Sequence, residues 1–269
     1  MQQAIAILDS GVGGLTVVKE VMRQLPQEKI IYFGDTARAP YGPRQPEEVK
    51  LFTTQIVDYL MRFSPKMIVI ACNTATAVAL DDIRKRVSIP VLGVIGPGAR
   101  AAIKATRSGT IGIIGTVGTI RSGAYERALK SIAPGTTVYS HACPQLVPIV
   151  ESGHFEGPAT LQIVKDSLQE LRNKPIDCLV LGCTHYPFLS EQIRKVMGKK
   201  VLLISSADET ASEISTVLNH RRYLAKNDET PVHRFFCSGE PALFKKITTN
   251  WLKEQIQDTP VVWQVPNFR

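Results

Sequence analysis

Two stretches of the sequence share one outline, and together they decide the fold. CLVLGCTHYP, residues 178–187, runs from a short apolar segment through a glycine and a cysteine into polar residues. MIVIACNTAT, residues 67–76, follows the same order with an alanine before its cysteine. Because unbroken runs of Ile, Val and Leu are typical of strands buried on both faces, each stretch predicts a strand of a parallel sheet that ends in a cysteine.

A second pair of matching segments indicates that a whole unit is duplicated. IAILDSGVGGLT, residues 5–16, lines up with IGIIGTVGTIRS, residues 111–122, and this sets Ser10 against Thr116. Ser10 and Thr116 are separated by nearly the same stretch of chain as the two cysteines, and loop-length changes account for the difference. The chain therefore predicts two similar α/β halves.

Short apolar runs alternate with helical patterns along most of the chain, as in βα units. Pro46 opens one predicted helix, and a second helical pattern covers residues 161–171. The predicted fold is α/β, with two pseudo-symmetric open parallel-sheet domains that face each other across a cleft. The predicted strands are residues 4–8, 30–33, 67–71, 91–95, 110–114, 138–140, 178–181 and 201–204.

The boundaries between the halves are expected near residues 95–98 and 206–208, where glycines near the first would permit hinge motion. Residues 1–95 plus 208–269 then form the first domain, and residues 96–207 form the second. A helix-like segment over 209–218 and a strand-like segment over 233–237 are expected to complete the first half. Ligands bind at the carboxyl ends of the strands in open α/β sheets, so the active site is expected at the domain interface.

Composition narrows the class of protein. Hydrophobic residues make up 44% and charged residues 21% of the 269 residues, as in a folded globular chain. No apolar run reaches the roughly 18 residues of a membrane helix, and the first residues lack a signal-peptide pattern, so a cytoplasmic protein is expected. The five cysteines form neither a CxxC pair nor a zinc-finger spacing, so no metal site and no disulfide framework are predicted.

The net charge of +8 and the pI of about 9.3 raise the question of nucleic acid. The Lys and Arg residues are dispersed, and the densest tracts, residues 84–86 and 220–222, are not interleaved with stacking aromatics. The sequence therefore argues against a nucleic-acid partner, whereas a basic field would also attract a small anionic substrate.

Cys72 and Cys183 are the candidate reactive groups. Each stands at a predicted junction between the end of a strand and the start of a helix, a position that favours a thiolate. A single such cysteine is better explained as a small buried apolar residue, but two cysteines at equivalent positions of a duplicated unit favour a chemical role. Cys143, Cys178 and Cys237 have no such counterpart and are interpreted as buried structural residues.

Each thiol has a titratable candidate partner. A free thiol has a pKa of about 8.5, so it needs assistance to act as a base near neutral pH. Asp9 ends the first predicted strand, and His185 lies two residues after Cys183. Asp9 could instead be a turn or cap residue, and His185 a packed imidazole.

Two loops and several hydroxyl or amide groups could bind a substrate. DSGVGG, residues 9–14, permits a tight turn whose N–H groups converge on an anion, although it lacks a nucleotide-binding signature. GDTARAPYGP, residues 34–43, offers backbone donors and an aromatic ring, with a plain surface loop as the alternative. The predicted substrate-binding residues are Ser10, Pro40, Tyr41, Gly42, Asn73, Thr74, Thr116, Thr119 and Thr184.

Together these features suggest a reaction. Two thiols that face each other across a cleft could reach opposite faces of one carbon, one removing a proton while the other supplies one. The result would be inversion of a stereocentre. This scheme requires no separate cofactor.

Five motifs carry a resemblance to a known family over essentially the whole chain. They are DSGVGG (9–14), GDTARAPYG (34–42), ACNTATA (71–77), LVPIVESG (146–153) and LGCTHYP (181–187). In this combination the sequence resembles the bacterial glutamate racemases of the cofactor-independent aspartate/glutamate racemase superfamily.

The resemblance implies roles for individual residues. Cys72 would be the base towards D-glutamate and Cys183 the base towards L-glutamate, each acting as the acid in the opposite direction. Asp9 and His185 would assist the thiols, and Glu151 would lie near the second one. The resemblance also implies the substrate contacts predicted above, a possible homodimer, and a supply of D-glutamate for peptidoglycan.

Two alternatives stay open at this point. An aspartate or hydantoin racemase would use the same chemistry. The depth of the pocket selects the length of the substrate side chain, and this depth is not visible in the sequence. A non-catalytic anion or nucleic-acid binder would explain the charge of +8 and the glycine-rich loop.

Overall fold

The computed structural model describes residues 3–226, 230–257 and 259–266. Within these ranges ten strands form two sheets, and every pairing between them is parallel. The strands are β1 (Ile5–Asp9), β2 (Ile30–Gly34), β3 (Met67–Ile70), β4 (Val91–Gly93), β5 (Thr110–Gly115), β6 (Thr137–Ala142), β7 (Cys178–Gly182), β8 (Leu202–Ile204), β9 (His233–Cys237) and β10 (Val261–Gln264). The six-stranded sheet has the order β10-β9-β2-β1-β3-β4, and the four-stranded sheet has the order β6-β5-β7-β8. The predicted fold class, two α/β halves with parallel sheets, is confirmed.

Helices follow most of the strands and cover the sheets. They are α1 (Leu15–Gln24), α2 (Pro46–Met61), α3 (Asn73–Arg86), α4 (Ile95–Ala105), α5 (Val117–Arg121), α6 (Ala124–Ile132), α7 (Leu146–Glu151), α8 (Pro158–Ser167), α9 (Ser190–Met197), α10 (Ser206–His220), α11 (Pro241–Trp251) and α12 (Lys253–Ile256), with a 3₁₀ helix at Tyr186–Leu189. Pro46 begins α2, as predicted, because its fixed φ suits the first turn of a helix.

The register of the strands explains how each half builds its share of the site. β1 pairs with β3 so that Leu8 lies beside Ile70, and the chain then continues into Ser10 and Cys72. β5 pairs with β7 so that Gly115 lies beside Gly182, and the chain continues into Thr116 and Cys183. In both halves a hydroxyl residue therefore follows one strand while a cysteine follows its neighbour.

The structure corrects several sequence-based boundaries. The helical pattern over residues 161–171 is shorter than predicted, since α8 ends at Ser167 and the following leucines lie in turns. The strand predicted over 91–95 ends at Gly93. Residues 95–98 and 206–208, near which the domain boundaries are predicted, form the first turns of α4 and α10, where a proline such as Pro97 is tolerated.

The C-terminal part of the chain contributes two strands to the first sheet. β9, over the residues predicted as a strand, pairs with β2, and β10 pairs with β9 at the sheet edge. β10 was not predicted: although Val261, Val262 and Trp263 favour a strand, the run is only four residues long. The domain limits proposed from the sequence stay a prediction.

Among the residues that the structure describes, no helix is both long and apolar enough to cross a membrane. In the same ranges, no group of three or more His, Cys, Asp or Glu side chains is placed to hold a metal ion.

Candidate active site

A narrow cavity lies where the carboxyl ends of the two sheets meet. About 10 Å³ of it is open to the centre of a water molecule, which is roughly the space of a single water. A larger ligand therefore requires the cavity to widen. Both candidate thiols line it, together with eight of the nine predicted substrate-binding residues. The lining residues are Ser10, Pro40, Tyr41, Gly42, Cys72, Asn73, Thr74, Thr116, Val147, Cys183, Thr184 and His185.

Cys72 lies at the start of a helix, as predicted. It is the N-cap of α3, and its Sγ accepts a hydrogen bond from the N–H of Ala75 at 3.5 Å. Its thiol donates towards Ser10 Oγ at 3.7 Å. Burial raises the pKa of Cys72 to about 12, and the nearby charge of Asp9 adds to this rise. Cys72 is therefore a protonated thiol at neutral pH, and an ammonium group beside it would lower its pKa.

Cys183 has a different local environment. The residues after it form a turn and then the 3₁₀ helix, so the prediction of a helix start at this cysteine is wrong. In the turn, the Cys183 carbonyl accepts a 3.1 Å hydrogen bond from the N–H of Tyr186. Its partner is a side chain, because Sγ lies 3.6 Å from Nδ1 of His185. His185 is 2% exposed, and Nε2 of the ring lies 2.5 Å from Oε1 of Glu151. Thiol, imidazole and carboxylate thus form one chain of contacts.

The contacts of His185 with Cys183 and Glu151 favour a charged imidazole. Burial by itself lowers the pKa of His185, but the hydrogen bonds and charges of Cys183 and Glu151 outweigh it and raise the pKa well above 6.5. Burial likewise works to raise the pKa of Glu151, whereas the hydrogen bond from His185 holds it below its usual value. His185 is therefore expected to be protonated at neutral pH, with Glu151 as its counter-ion.

The glycine-rich loop of residues 9–14 binds carboxylates that belong to the protein itself. The N–H of Gly11 donates to Asp9 at 3.0 Å, and the N–H of Val12 donates to Oε1 of Glu151 at 3.1 Å. The loop also packs against the second half so closely that a Cβ on Gly13 would lie 2.4 Å from Nδ1 of His185. Its role is to hold the acidic partners of the site in place.

Removal of the Glu151 charge is expected to move the pH profile of the reaction. Glu151→Gln takes away a carboxylate that raises the pKa of His185, so this pKa falls and the imidazolium is lost at a lower pH. If the protonated ring supports Cys183, the alkaline limb of kcat/KM shifts to lower pH relative to the unsubstituted protein. Turnover rates across a pH series measure this, and an unmoved alkaline limb would contradict the role given to Glu151.

Asp9 connects the two halves below the cavity. It is fully buried and accepts hydrogen bonds from the N–H of Gly11 and from the Thr184 hydroxyl, each at 3.0 Å. Burial raises its pKa, while the charge of His185 acts in the opposite direction. The charge of Asp9 thus raises the pKa of Cys72, although Asp9 itself is not among the residues that line the cavity.

Three threonine hydroxyls form a hydrogen-bonded cluster, and two of them, those of Thr74 and Thr116, belong to residues that line the cavity. Oγ1 of Thr74, from the first half, lies 2.9 Å from Oγ1 of Thr116 and 3.2 Å from Oγ1 of Thr119, both from the second half. Thr119 was predicted to touch the substrate, but it does not line the cavity and instead supports the other two hydroxyls. The cluster links the two halves with groups that can either donate or accept.

The loop that carries Pro40, Tyr41 and Gly42 is held by a residue that the sequence reading did not single out. Asp35 is fully buried and accepts hydrogen bonds from the Tyr41 hydroxyl, from Nε of Arg38 at 2.7 Å and from the Ser238 hydroxyl at 2.8 Å. Ser238 follows β9, so the C-terminal part of the chain anchors this loop. An acid two residues after a predicted strand was the available signal.

Neutralising Asp35 is expected to destabilise the fold and to weaken substrate binding together. Asp35→Asn replaces an oxygen acceptor with an NH₂ donor that faces other donors, so we expect a loss of about 1–3 kcal/mol in the free energy of unfolding and a higher KM. Urea unfolding and steady-state kinetics measure the two effects. Asp58→Asn is the control, since that carboxylate is 48% exposed and its pair with Arg86 is expected to contribute less than about 1 kcal/mol. Equal effects of the two substitutions would contradict the anchoring role of Asp35.

Val147 is another cavity residue that the sequence reading missed. It lies on α7 one turn before Glu151, so the two side chains share one face of the helix. The helical spacing within LVPIVESG already indicates that Val147 and Glu151 share a face, but the sequence analysis named only Glu151. Val147 supplies an apolar wall beside the thiols.

Fold and site together define a class: α/β proteins whose two similar halves each place one cysteine, from the end of a parallel strand, in a shared buried cavity. A family model described as Asp/Glu/Hydantoin racemase matches residues 10–214. The chain therefore belongs to the Asp/Glu/Hydantoin racemase family.

Individual relatives extend the match to nearly the whole chain. A glutamate racemase of Bacillus cereus is 52% identical over 263 residues, which is 98% of each chain. The crystal structure of a glutamate racemase isoform from Bacillus anthracis has a TM-score of 0.92 at 50% identity and covers 97% of both chains. A glutamate racemase from Francisella tularensis, solved in complex with D-glutamate, has a TM-score of 0.90 at 33% identity and covers 99% of this chain and 98% of that one.

Proposed function

We propose that this protein is a glutamate racemase that moves the α-proton between two thiols, those of Cys72 and Cys183. One observation carries the proposal: both cysteines, from equivalent strand ends of the two halves, line a single buried cavity. The names of the relatives that are about half identical over the full length support glutamate as the substrate.

The proposed reaction is balanced within the site. In one direction the thiolate of one cysteine takes the α-proton, so that a C–H bond breaks and an S–H bond forms. The thiol of the other cysteine then gives its proton to the opposite face of the carbanion, and this cysteine is left as the thiolate. Following the family resemblance, Cys72 is the base towards D-glutamate and Cys183 the base towards L-glutamate. The proton transfers use no group beyond the two thiols.

The surroundings of each thiol support different auxiliary roles. The charged ring of His185, paired with Glu151, would stabilise a thiolate at Cys183. At Cys72 the Ser10 hydroxyl and the N–H of Ala75 would stabilise the thiolate, with Asp9 favouring its reprotonation. The pKa of a catalytic acid or base is best placed near the working pH, and these partners tune the two thiols separately.

The substrate itself would be held by the polar lining. Carboxylate groups need donors, and the hydroxyls of Ser10, Thr74 and Thr184 with the amide of Asn73 supply them. The backbone at Gly42 and the ring of Tyr41 would close the remaining side. In a cytoplasmic setting this activity would supply D-glutamate for peptidoglycan, and a homodimer is the proposed assembly.

The alternatives differ in what they predict for amino-acid turnover. An aspartate racemase would use the same two thiols on a shorter side chain. A binder of anions or nucleic acid would not need two cysteines in one cavity, so the site favours an enzyme.

The deciding experiment follows optical activity with each enantiomer of glutamate and of aspartate, with no cofactor added. Run in D₂O, the same reaction is followed by NMR of the α-hydrogen. We expect glutamate to racemise with the higher kcat/KM. We also expect the first product to carry deuterium while unreacted substrate keeps its proton, because the thiol that delivers deuterium from the solvent is not the one that removes the α-proton. Preference for aspartate would reject the assignment of glutamate, and the absence of turnover with any carbon acid would reject the racemase proposal.

A further inference from the structure

We propose that Tyr125 is a positioning residue, which orients the amide of Asn73 so that its NH₂ group faces a carboxylate of the substrate. This inference rests on the proposed function and deepens it by assigning what one wall of the cavity recognises. Tyr125 lies on α6, in the second half, whereas Asn73 is the first residue of α3 in the first half.

The hydrogen bonds of Asn73 are divided between the protein and the cavity. Its side chain is 2% exposed, and Oδ1 accepts a hydrogen bond from the Tyr125 hydroxyl at 2.7 Å. Nδ2 has no hydrogen-bond partner among the described residues, although it is buried and its residue lines the cavity. A buried NH₂ group without a partner is costly, so a partner supplied by the ligand is the natural explanation.

The direction of the Tyr125 hydrogen bond decides which ligand group fits. An amide offers one oxygen that accepts and one NH₂ that donates, and either could face the cavity if the amide rotated. In the structure the Tyr125 hydroxyl donates to Oδ1, so the unpartnered NH₂ group is the part of the amide that is offered to the ligand. Asn73 then binds a carboxylate oxygen and rejects an ammonium group at the same position.

The ring of Tyr125 is held in a fitted slot, so it can impose this orientation. It is 3% exposed and packs against two glycines of the second half. A Cβ on Gly98 would lie 2.9 Å from the phenol oxygen, and one on Gly182 would lie 3.0 Å from Cε2 of the ring. Only the absence of side chains at these positions admits the ring.

The slot also places Tyr125 between the two reactive strand ends. Gly182 directly precedes Cys183, and Asn73 directly follows Cys72. Burial is the main cause that raises the pKa of Tyr125, and the charge of Cys183 contributes in the same direction, whereas a hydrogen bond from the Ser206 side chain opposes it. Tyr125 is thus a neutral phenol that donates a hydrogen bond to the side chain of Asn73, and its ring packs against Gly182 beside Cys183.

The test is Tyr125→Phe, which removes the hydroxyl and keeps the ring in its slot. Loss of the orienting hydrogen bond should raise KM for glutamate by about 10-fold, the range of one hydrogen bond to a charged group. We expect kcat to change by less than about threefold, since a carboxylate contact made equally in ground and transition states affects KM alone. Thermal unfolding of the variant serves as the check that the fold is retained.

A double-mutant cycle with Asn73→Ala separates positioning from a purely structural role. If Tyr125 acts through Asn73, then Tyr125→Phe has no further effect on KM in the Asn73→Ala protein. Multiplicative effects of the two substitutions would overturn the inference, as would an unchanged KM for Tyr125→Phe alone. Failure of the unsubstituted protein to turn over glutamate would instead reject the proposed function, so the two failures are distinguishable.

Discussion

Replacement of either cavity cysteine by alanine is expected to lower kcat/KM for glutamate racemisation by about 10⁴-fold, the upper range of general acid–base catalysis. Each thiol is the base in one direction and the acid in the other, so each is needed in both. Cys72 and Cys183 reach the cavity from opposite halves, which leaves neither able to serve both faces of one carbon. Circular dichroism with L- and D-glutamate measures the two directions separately.

Thermodynamics adds a constraint to this result. The two enantiomers have equal free energies, so their equilibrium constant is 1 and kcat/KM must be equal in the two directions for any variant. The individual kcat and KM values are free to differ, and they carry the information about which thiol serves which enantiomer. In each single-alanine variant, kcat/KM should therefore fall by the same factor with L-glutamate as with D-glutamate.

Cys178→Ala is the matched control for the thiol substitutions. Cys178 is fully buried, like the cavity cysteines, but it packs in the core of the second half between β7 and its neighbouring helices. We expect a modest loss of stability and nearly unchanged kinetics. A cavity-cysteine variant that retained normal kcat/KM would remove that cysteine from the mechanism.

His185→Asn is expected to have the second largest effect, a fall in kcat/KM of about 10²- to 10³-fold, because it removes a charged partner of a proton-transferring thiol. The asparagine can still donate a hydrogen bond towards Cys183, so the loss reports mainly on the positive charge. The control is His233→Asn. His233 is also 2% exposed, but its Nδ1 accepts the N–H of Ile30 at 3.1 Å away from the cavity, and burial lowers its pKa to about 4.

The same substitution has a signed effect on stability. The pKa of folded His185 lies above its unfolded value of 6.5, so the imidazolium stabilises the fold most fully below that pH. This contribution is lost as the pH rises through the folded pKa. The difference in free energy of unfolding between the unsubstituted protein and His185→Asn should therefore shrink from acidic to alkaline pH in urea titrations. A difference that grew with pH, or kinetic effects equal to those of His233→Asn, would contradict the assignment.

Local sequence patterns were sufficient for the repeated architecture. Unbroken apolar runs mark strands buried on both faces, and β1 and β7 are fully buried along their whole length. The short edge strand β10, which alternates between half-buried and exposed residues, was not predicted.

The sequence by itself determined that two similar α/β halves exist and that Cys72 and Cys183 end equivalent strands, because both facts are written in local spacing and in repetition. Only the tertiary structure decided that the glycine-rich loop binds Glu151, that Asp35 anchors the Tyr41 loop through Ser238, and that Tyr125 orients Asn73. These contacts join residues far apart in the chain. Their partners are selected by how the two sheets pack, and no short stretch of sequence contains that information.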